Sequence, residues 1–228
     1  MNWFLNALTS GIGRKVIMSL TGLFLILFLV IHLAGNLQLL KSDGGDAFNI
    51  YSHFMGNNPI IQLVSKGNFF FILLHIFVSL TLVVKNRKAR PIGYKVAGGS
   101  ANSSWMSRSM AILGTLIMIF LIFHLYGFWY QFKNGALADV TIDGVVMGNG
   151  YVWVAAAYSN PLVVVFYVIS MAVLAFHLWH GFASAFQSLG LNHVKYNGLI
   201  TGLGRIYAIL IPVLYAIIPI LLYLKSLS

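Results

Sequence analysis

The sequence predicts an all-α membrane protein, a bundle of five transmembrane helices with a cytoplasmic N-terminus, and three observations carry that fold class. The 228 residues are 59% hydrophobic and only 8% charged, with a mean hydropathy of +0.87, whereas a soluble domain carries about 25% charged residues. Five stretches are long and apolar enough to cover a ~30 Å hydrocarbon core, which takes about 20 residues. The charges that do occur collect between these stretches with a strong sidedness. Most residues can then be buried in lipid and in helix contacts, so residues 1–228 form one domain.

The first span, Val16 to Leu40, begins directly after Arg14 and Lys15. It is too long for a signal peptide and lacks an A-x-A cleavage pattern, so it is a retained helix. Ahead of it, MNWFLNAL places Trp3, Phe4, Leu5 and Leu8 close together on one helical face, suited to lie along the membrane interface. The other spans run from about Ile60 to Val84, Ser109 to Phe132, Pro161 to Gln187 and Ile206 to Leu224. GLITGLG, with small residues four apart at Gly198 and Gly202, precedes the last span and suits close helix packing. The longest connection, Lys133 to Asn160, is rich in Gly, Val and Ala and too short for a soluble domain.

A cytoplasmic N-terminus puts Arg14, Lys15, Lys85, Arg87, Lys88, Arg90, Lys95, Arg108, Lys195 and Arg205 inside, and Lys41, Lys66, Lys133 and Lys225 outside. The positive-inside rule favours this orientation. All four aspartates, Asp43, Asp46, Asp139 and Asp143, then lie in the outer loops. The net charge of +10 in so apolar a chain points to anionic lipid rather than nucleic acid. Its densest run, KNRKARPIGYK at 85–95, suits anionic headgroups or an acidic partner beyond its role in topology. The absence of cysteine excludes disulfides, thiolate metal sites, iron-sulfur clusters and covalent c-type haem held by this chain. A cofactor must use histidine or oxygen.

Four of the seven histidines, His32, His75, His124 and His177, sit one per span among large apolar residues. An imidazole in lipid marks a cofactor, an ion path or a helix-pinning hydrogen bond. Depth separates these uses. At 1.5 Å per residue, His32 lies ~26 Å beyond Lys15 and His124 ~24 Å beyond Arg108. His75 and His177 each lie ten residues, ~15 Å, from Lys85 and from Gln187, at the inner edge. Two layers result, His32 with His124 outside and His75 with His177 inside. A haem iron with two histidine ligands needs one from each side, and zinc or copper would need more donors at one point. The expected cofactors are therefore two b haems, stacked ~10 Å apart. His180, three residues after His177, is the rival inner ligand; the depth match to His75 favours His177. His53 in the first outer loop is a solvated loop histidine or a group handling protons or quinone. His193 has no assigned role.

SLTGLFLILFLVIHLAGN, AFNIYSHFMGNNP, FHLYGFW and FHLWHGFASAFQSLG carry a resemblance over nearly the whole chain. With them the sequence resembles the diheme cytochrome b membrane anchor, single-polypeptide and five-helix type, of succinate dehydrogenases and fumarate reductases, the succinate:quinone oxidoreductases or respiratory complex II. The resemblance implies haem ligation by His32, His75, His124 and His177 in the pairs that depth suggests, and a propionate contact at Ser19. Arg14, Arg108 and Lys195 are propionate partners by location. It also implies a cytoplasmic iron-sulfur subunit, beyond it an FAD flavoprotein that holds the dicarboxylate site, and menaquinone as the membrane substrate. A bacterial cytoplasmic membrane is the expected location, and a higher oligomer of the complex is compatible. His53 and Asp46 are the candidates for quinone-linked proton delivery outside. Some relatives couple protons through an intramembrane glutamate near the fourth-span ligand. Here Ala175 and Phe176 precede His177 and no acid occupies any span, a departure from that pattern.

Overall fold

The computed structural model describes residues 2–89, 104–135 and 137–228, with Phe4 described by its backbone alone. A short helix, α1 (Trp3–Thr9), leads into α2 (Gly11–Asn36), which continues through a 3-10 turn to Leu40. There follow α3 (Asp46–Asn57), α4 (Pro59–Lys88), α5 (Trp105–Lys133), strands β1 (Asp139–Ile142) and β2 (Val145–Gly148), α6 (Gly150–Tyr158), α7 (Pro161–Ser188) and α8 (Val194–Ser226). Five of these, α2 with its turn, α4, α5, α7 and α8, are long and apolar enough to cross a membrane. The all-α five-helix bundle is therefore the architecture.

Local chemistry sets the helix starts. Ser10 caps α2 by accepting from the Gly13 N–H. Asn58 and Asn160 cap α4 and α7 through their Oδ1 atoms, each with proline as the first helical residue. Pro at that position sacrifices an N–H that has no helical acceptor anyway. The helices overrun the spans expected from charge, most of all α8, which begins at Val194 rather than Ile206. A charge marks the edge of the hydrocarbon but does not end a helix, because long basic side chains reach water while the backbone stays hydrogen-bonded. GLITGLG consequently lies inside α8. Gly198 and Gly202 face open space, and Gly204 is the close contact, where a Cβ would come within 2.7 Å of the Phe182 ring. Of the basic run at 85–95, Arg90 and Lys95 lie outside the described residues, as does the Phe4 side chain.

The spans turn much of their apolar surface outward, Leu27, Leu73, Ile112 and Val165 among others being exposed, as lipid-facing helices do. Inside, α2, α7 and α8 meet at Ile26, Leu178 and the fully buried Ala208. Two phenols tie α8 to α2: Tyr207 Oη donates to the Ile26 carbonyl and Tyr215 Oη to the Leu29 carbonyl at 2.6 Å. Such interhelical bonds are available where backbone oxygens retain a second lone pair.

The connection from Lys133 to Asn160 holds more structure than its composition suggests. Asp143 and Gly144, both at positive φ, form the two-residue turn of the hairpin β1–β2, the Asp-Gly arrangement whose twist matches paired strands. Together with α3 and α6, the hairpin caps the face opposite the basic one. Buried Asn49 is its keystone, accepting from the Tyr151 N–H at 2.9 Å and donating to Asn149 Oδ1. His53 therefore stands on a helix, α3, where a loop was expected.

Candidate functional site

Two depths of the bundle hold the four intramembrane histidines. At the level nearer the hairpin cap, α2 and α5 bring His32 and His124 to a ring separation of 5.8 Å with planes at 87°. Phe28 stacks on His32 at 5.3 Å and Phe120 on His124 at 5.5 Å, each one turn before its histidine on the same helix. His124 Nδ1 lies 3.3 Å from Tyr167 Oη of α7. His32 is met from its own helix by the Asn36 amide, 3.4 Å from Nε2, and that amide also donates to the His32 carbonyl at 2.8 Å. Immediately after His124 the helix widens into a π-helical stretch, Leu125–Tyr130, of the kind often found at functional positions. The Gly127 carbonyl within it accepts from Trp153 Nε1 at 2.9 Å.

At the deeper level, α4 supplies His75 and α7 supplies His177, and the two lie within electrostatic reach of each other. His180 follows one turn further along α7. Glycines border both rings. A Cβ on Gly22 would stand 3.4 Å from His75 Cε1, and one on Gly114 would stand 3.9 Å from His177 Cε1. His75 Nδ1 lies 3.0 Å from Thr21 Oγ1, while His177 Nδ1 is buried with no hydrogen-bond partner. Among the described residues no three histidines or carboxylates converge on one point, so the donors are organised as pairs.

These residues fit a bis-histidine haem by the chemistry of the donors and by what is left unpaired. The donor set is four imidazoles on four helices at two depths, with the rings of His32 and His124 in contact. A buried imidazole nitrogen and a buried guanidinium nitrogen, His177 Nδ1 and Arg14 Nη1, lack partners, and buried polar atoms rarely stay unpaired. Ser19 is buried and donates to the Lys15 carbonyl at 2.9 Å, so its oxygen remains an acceptor. Arg108 and Lys195 are exposed near the starts of α5 and α8, on the same face as Arg14.

On the capped face, an open cavity of about 450 Å³ lies between α3 and the hairpin, lined by His53, Asn57, Asp143, Ile50, Phe54 and Met147 among others. His53 thus borders a groove, whereas Asp46, exposed at the first turn of α3, does not line it. The carboxyl on this face that does bond backbone is Asp43. The Gly45 N–H, at 3.0 Å, holds it below the usual carboxylate range, with Ala47 assisting. Burial pushes the nearby Tyr51 phenol up.

Thr21, Asn36, Asn68 and Tyr167 are the polar groups near the histidines that residue type alone does not reveal. Asn68 is 7% exposed with its Oδ1 unpaired, and it stands seven residues, about two turns, from His75 on the same side of α4. Its neighbours Phe69 and Phe71 pack on Trp129 of α5 and Phe24 of α2, which directs Asn68 between the two helices of the outer pair. Comparisons with family models, with curated proteins and with solved structures find no match to this chain, so its site is defined by the paired histidines themselves.

Proposed function

We propose that this chain is the membrane anchor and electron-transfer subunit of a succinate:quinone oxidoreductase, with one b haem held by His32 and His124 and a second by His75 and His177. The arrangement of four neutral nitrogen donors, one from each of four helices, as two pairs at two depths is the observation that supports it. A haem held by two histidines would supply one-electron transfer.

The chain's own part is placement and electrostatics. α2 and α5 would hold the outer haem through His32 and His124, and α4 and α7 the inner one through His75 and His177, with Phe28 and Phe120 stacked on the outer rings. Arg14, whose buried Nη1 lacks a partner, and Ser19 are placed on α2 to receive carboxylates at the basic face, with Arg108 and Lys195 near the surface there. With the N-terminus cytoplasmic, that face docks the iron-sulfur subunit, which in turn contacts the FAD flavoprotein. Menaquinone is the membrane substrate, and His53 in its groove is the proton-handling candidate on the opposite face, with Asp46 on the same helix. The membrane is the bacterial cytoplasmic one.

Purification in mild detergent tests the proposal. The expected result is a reduced-minus-oxidised b-type spectrum, two haems per chain, and co-purification of an iron-sulfur and a flavin-bearing subunit. A preparation with no haem rejects it outright. Haem without those two subunits rejects the succinate:quinone assignment and leaves a different diheme membrane cytochrome.

A further inference from the structure

Thr21 is 2% exposed in the middle of the bundle, and the proposed function makes no use of it. Its Oγ1 lies 3.0 Å from His75 Nδ1. A threonine hydroxyl has a single hydrogen. That hydrogen is committed to α2 itself, with the Ile17 carbonyl 2.8 Å away and the Met18 carbonyl at 3.1 Å, the back-bonding usual for threonine in an apolar helix. Toward His75 the oxygen can therefore only accept. With that acceptor beside Nδ1, the proton of neutral His75 resides on Nδ1 and the Nε2 lone pair is free.

We infer that Thr21 is a positioning residue for His75: by accepting the Nδ1–H it fixes the tautomer and ring orientation in which Nε2 is the metal-binding atom. This rests on the two-haem reading above and adds to it a residue and a difference between ligands. Among the described residues His177 Nδ1 has no partner, His32 is met at Nε2 rather than Nδ1, and the phenol of Tyr167 bonds the imidazole of His124, where either group can donate. At His32 the Asn36 amide, which can only donate, also leaves the proton on Nδ1, but it does so by occupying Nε2; among the four intramembrane histidines described, His75 is the one whose Nδ1–H meets an acceptor from another helix. A hydrogen bond accepted from Nδ1–H makes the opposite nitrogen a stronger donor to the metal, and losing such a partner typically weakens metal retention about 10- to 100-fold.

The test compares Thr21→Val, which keeps the shape and removes the hydroxyl, with Thr21→Ser, which keeps the hydroxyl. The full-length protein with its co-purifying subunits is titrated electrochemically while the haem spectrum is followed. The inner component is identified as the one missing from His75→Ala. In Thr21→Val its midpoint potential should move upward and it should wash out more readily, while the outer component stays in place and serves as the control for folding. Thr21→Ser should restore the wild-type potential. Wild-type protein with two haems and a Thr21→Val variant identical to it overturns this inference alone. So does a Thr21→Ser variant that behaves like Thr21→Val, because the role is then packing. Wild-type protein without haem overturns the two-haem reading together with it.

Discussion

His32 and His124 are close enough to act on one bound group, and the second proposed pair is His75 with His177. Replacing either member of a pair with alanine should therefore delete the same spectral component. His32→Ala and His124→Ala are expected to share one loss, and His75→Ala and His177→Ala the other, as read by redox titration of the purified protein. A loss shared across the layers would overturn the pairing. A different carboxylate chemistry operates at Asp43, on the capped face. Because the Gly45 N–H lowers its pKa in the folded protein, Asp43 contributes stability that is present above its unfolded value of about 4 and lost as pH falls through its lower folded value. The protection of the first amides of α3 against hydrogen exchange, taken relative to the intrinsic rate at each pH, should thus decrease as the pH falls below about 4, and Asp43→Asn should show the weaker protection already at neutral pH. The four histidines were legible in the sequence because an ionisable ring within twenty apolar residues has no cheap alternative. Thr21 was not, although it stands eleven residues before His32, within about 20° of the same helical face. A threonine can satisfy itself on its own helix, so its presence in a span announces nothing; Asn68 and Tyr167 escaped for the related reason that amide and phenol groups serve packing as often as ligands.

The order and apolar character of the spans follow from hydropathy, while their ends do not, because helices outrun the hydrocarbon wherever basic side chains can reach water. The twelve residues by which α8 starts before Ile206 are polar enough to be mistaken for a loop, and the Asp-Gly hairpin turn was a short-range signal hidden in a connection judged by its overall composition. Ties between helices are the part that sequence conceals most. Tyr215→Phe removes the donor to the Leu29 carbonyl and should lower the stability of the bundle by about 0.6 kcal/mol, the usual size of an interhelical bond in a membrane, measured by reversible unfolding in mixed micelles. Gly45 poses a harsher constraint. It holds φ at +103° at the start of α3, and a Cβ there would collide with the Tyr151 ring. Gly45→Ala should cost about 1–3 kcal/mol of backbone strain plus the displacement of that ring, and hydrogen exchange should locate the loosening in α3 and α6 rather than in the spans.

Five spanning helices, an odd number, would put Ser10 and Ser228 on opposite sides of the membrane. With no native cysteine, single cysteines can be introduced at Ser10 and Ser228 without interference, and in inside-out vesicles an impermeant thiol reagent is expected to label the first and spare the second. Labelling in the reverse sense would place the basic face outside and overturn the proposal that an iron-sulfur subunit docks there. At this scale the sequence told most: composition settles the class and charge proposes the orientation. It told least about the capped face, whose fold depends on Asn49 meeting residues about a hundred positions away. The two phenols that bind α8 to α2 have a further consequence, which lies in time. A ribosome completes all four histidine-bearing helices before it makes the fifth, and the first helix receives its tyrosine partners only then. The nascent protein therefore passes through a stage in which all four histidines have been made and the wall that α8 supplies is still missing, and that interval would leave the bundle most open to the haems proposed above.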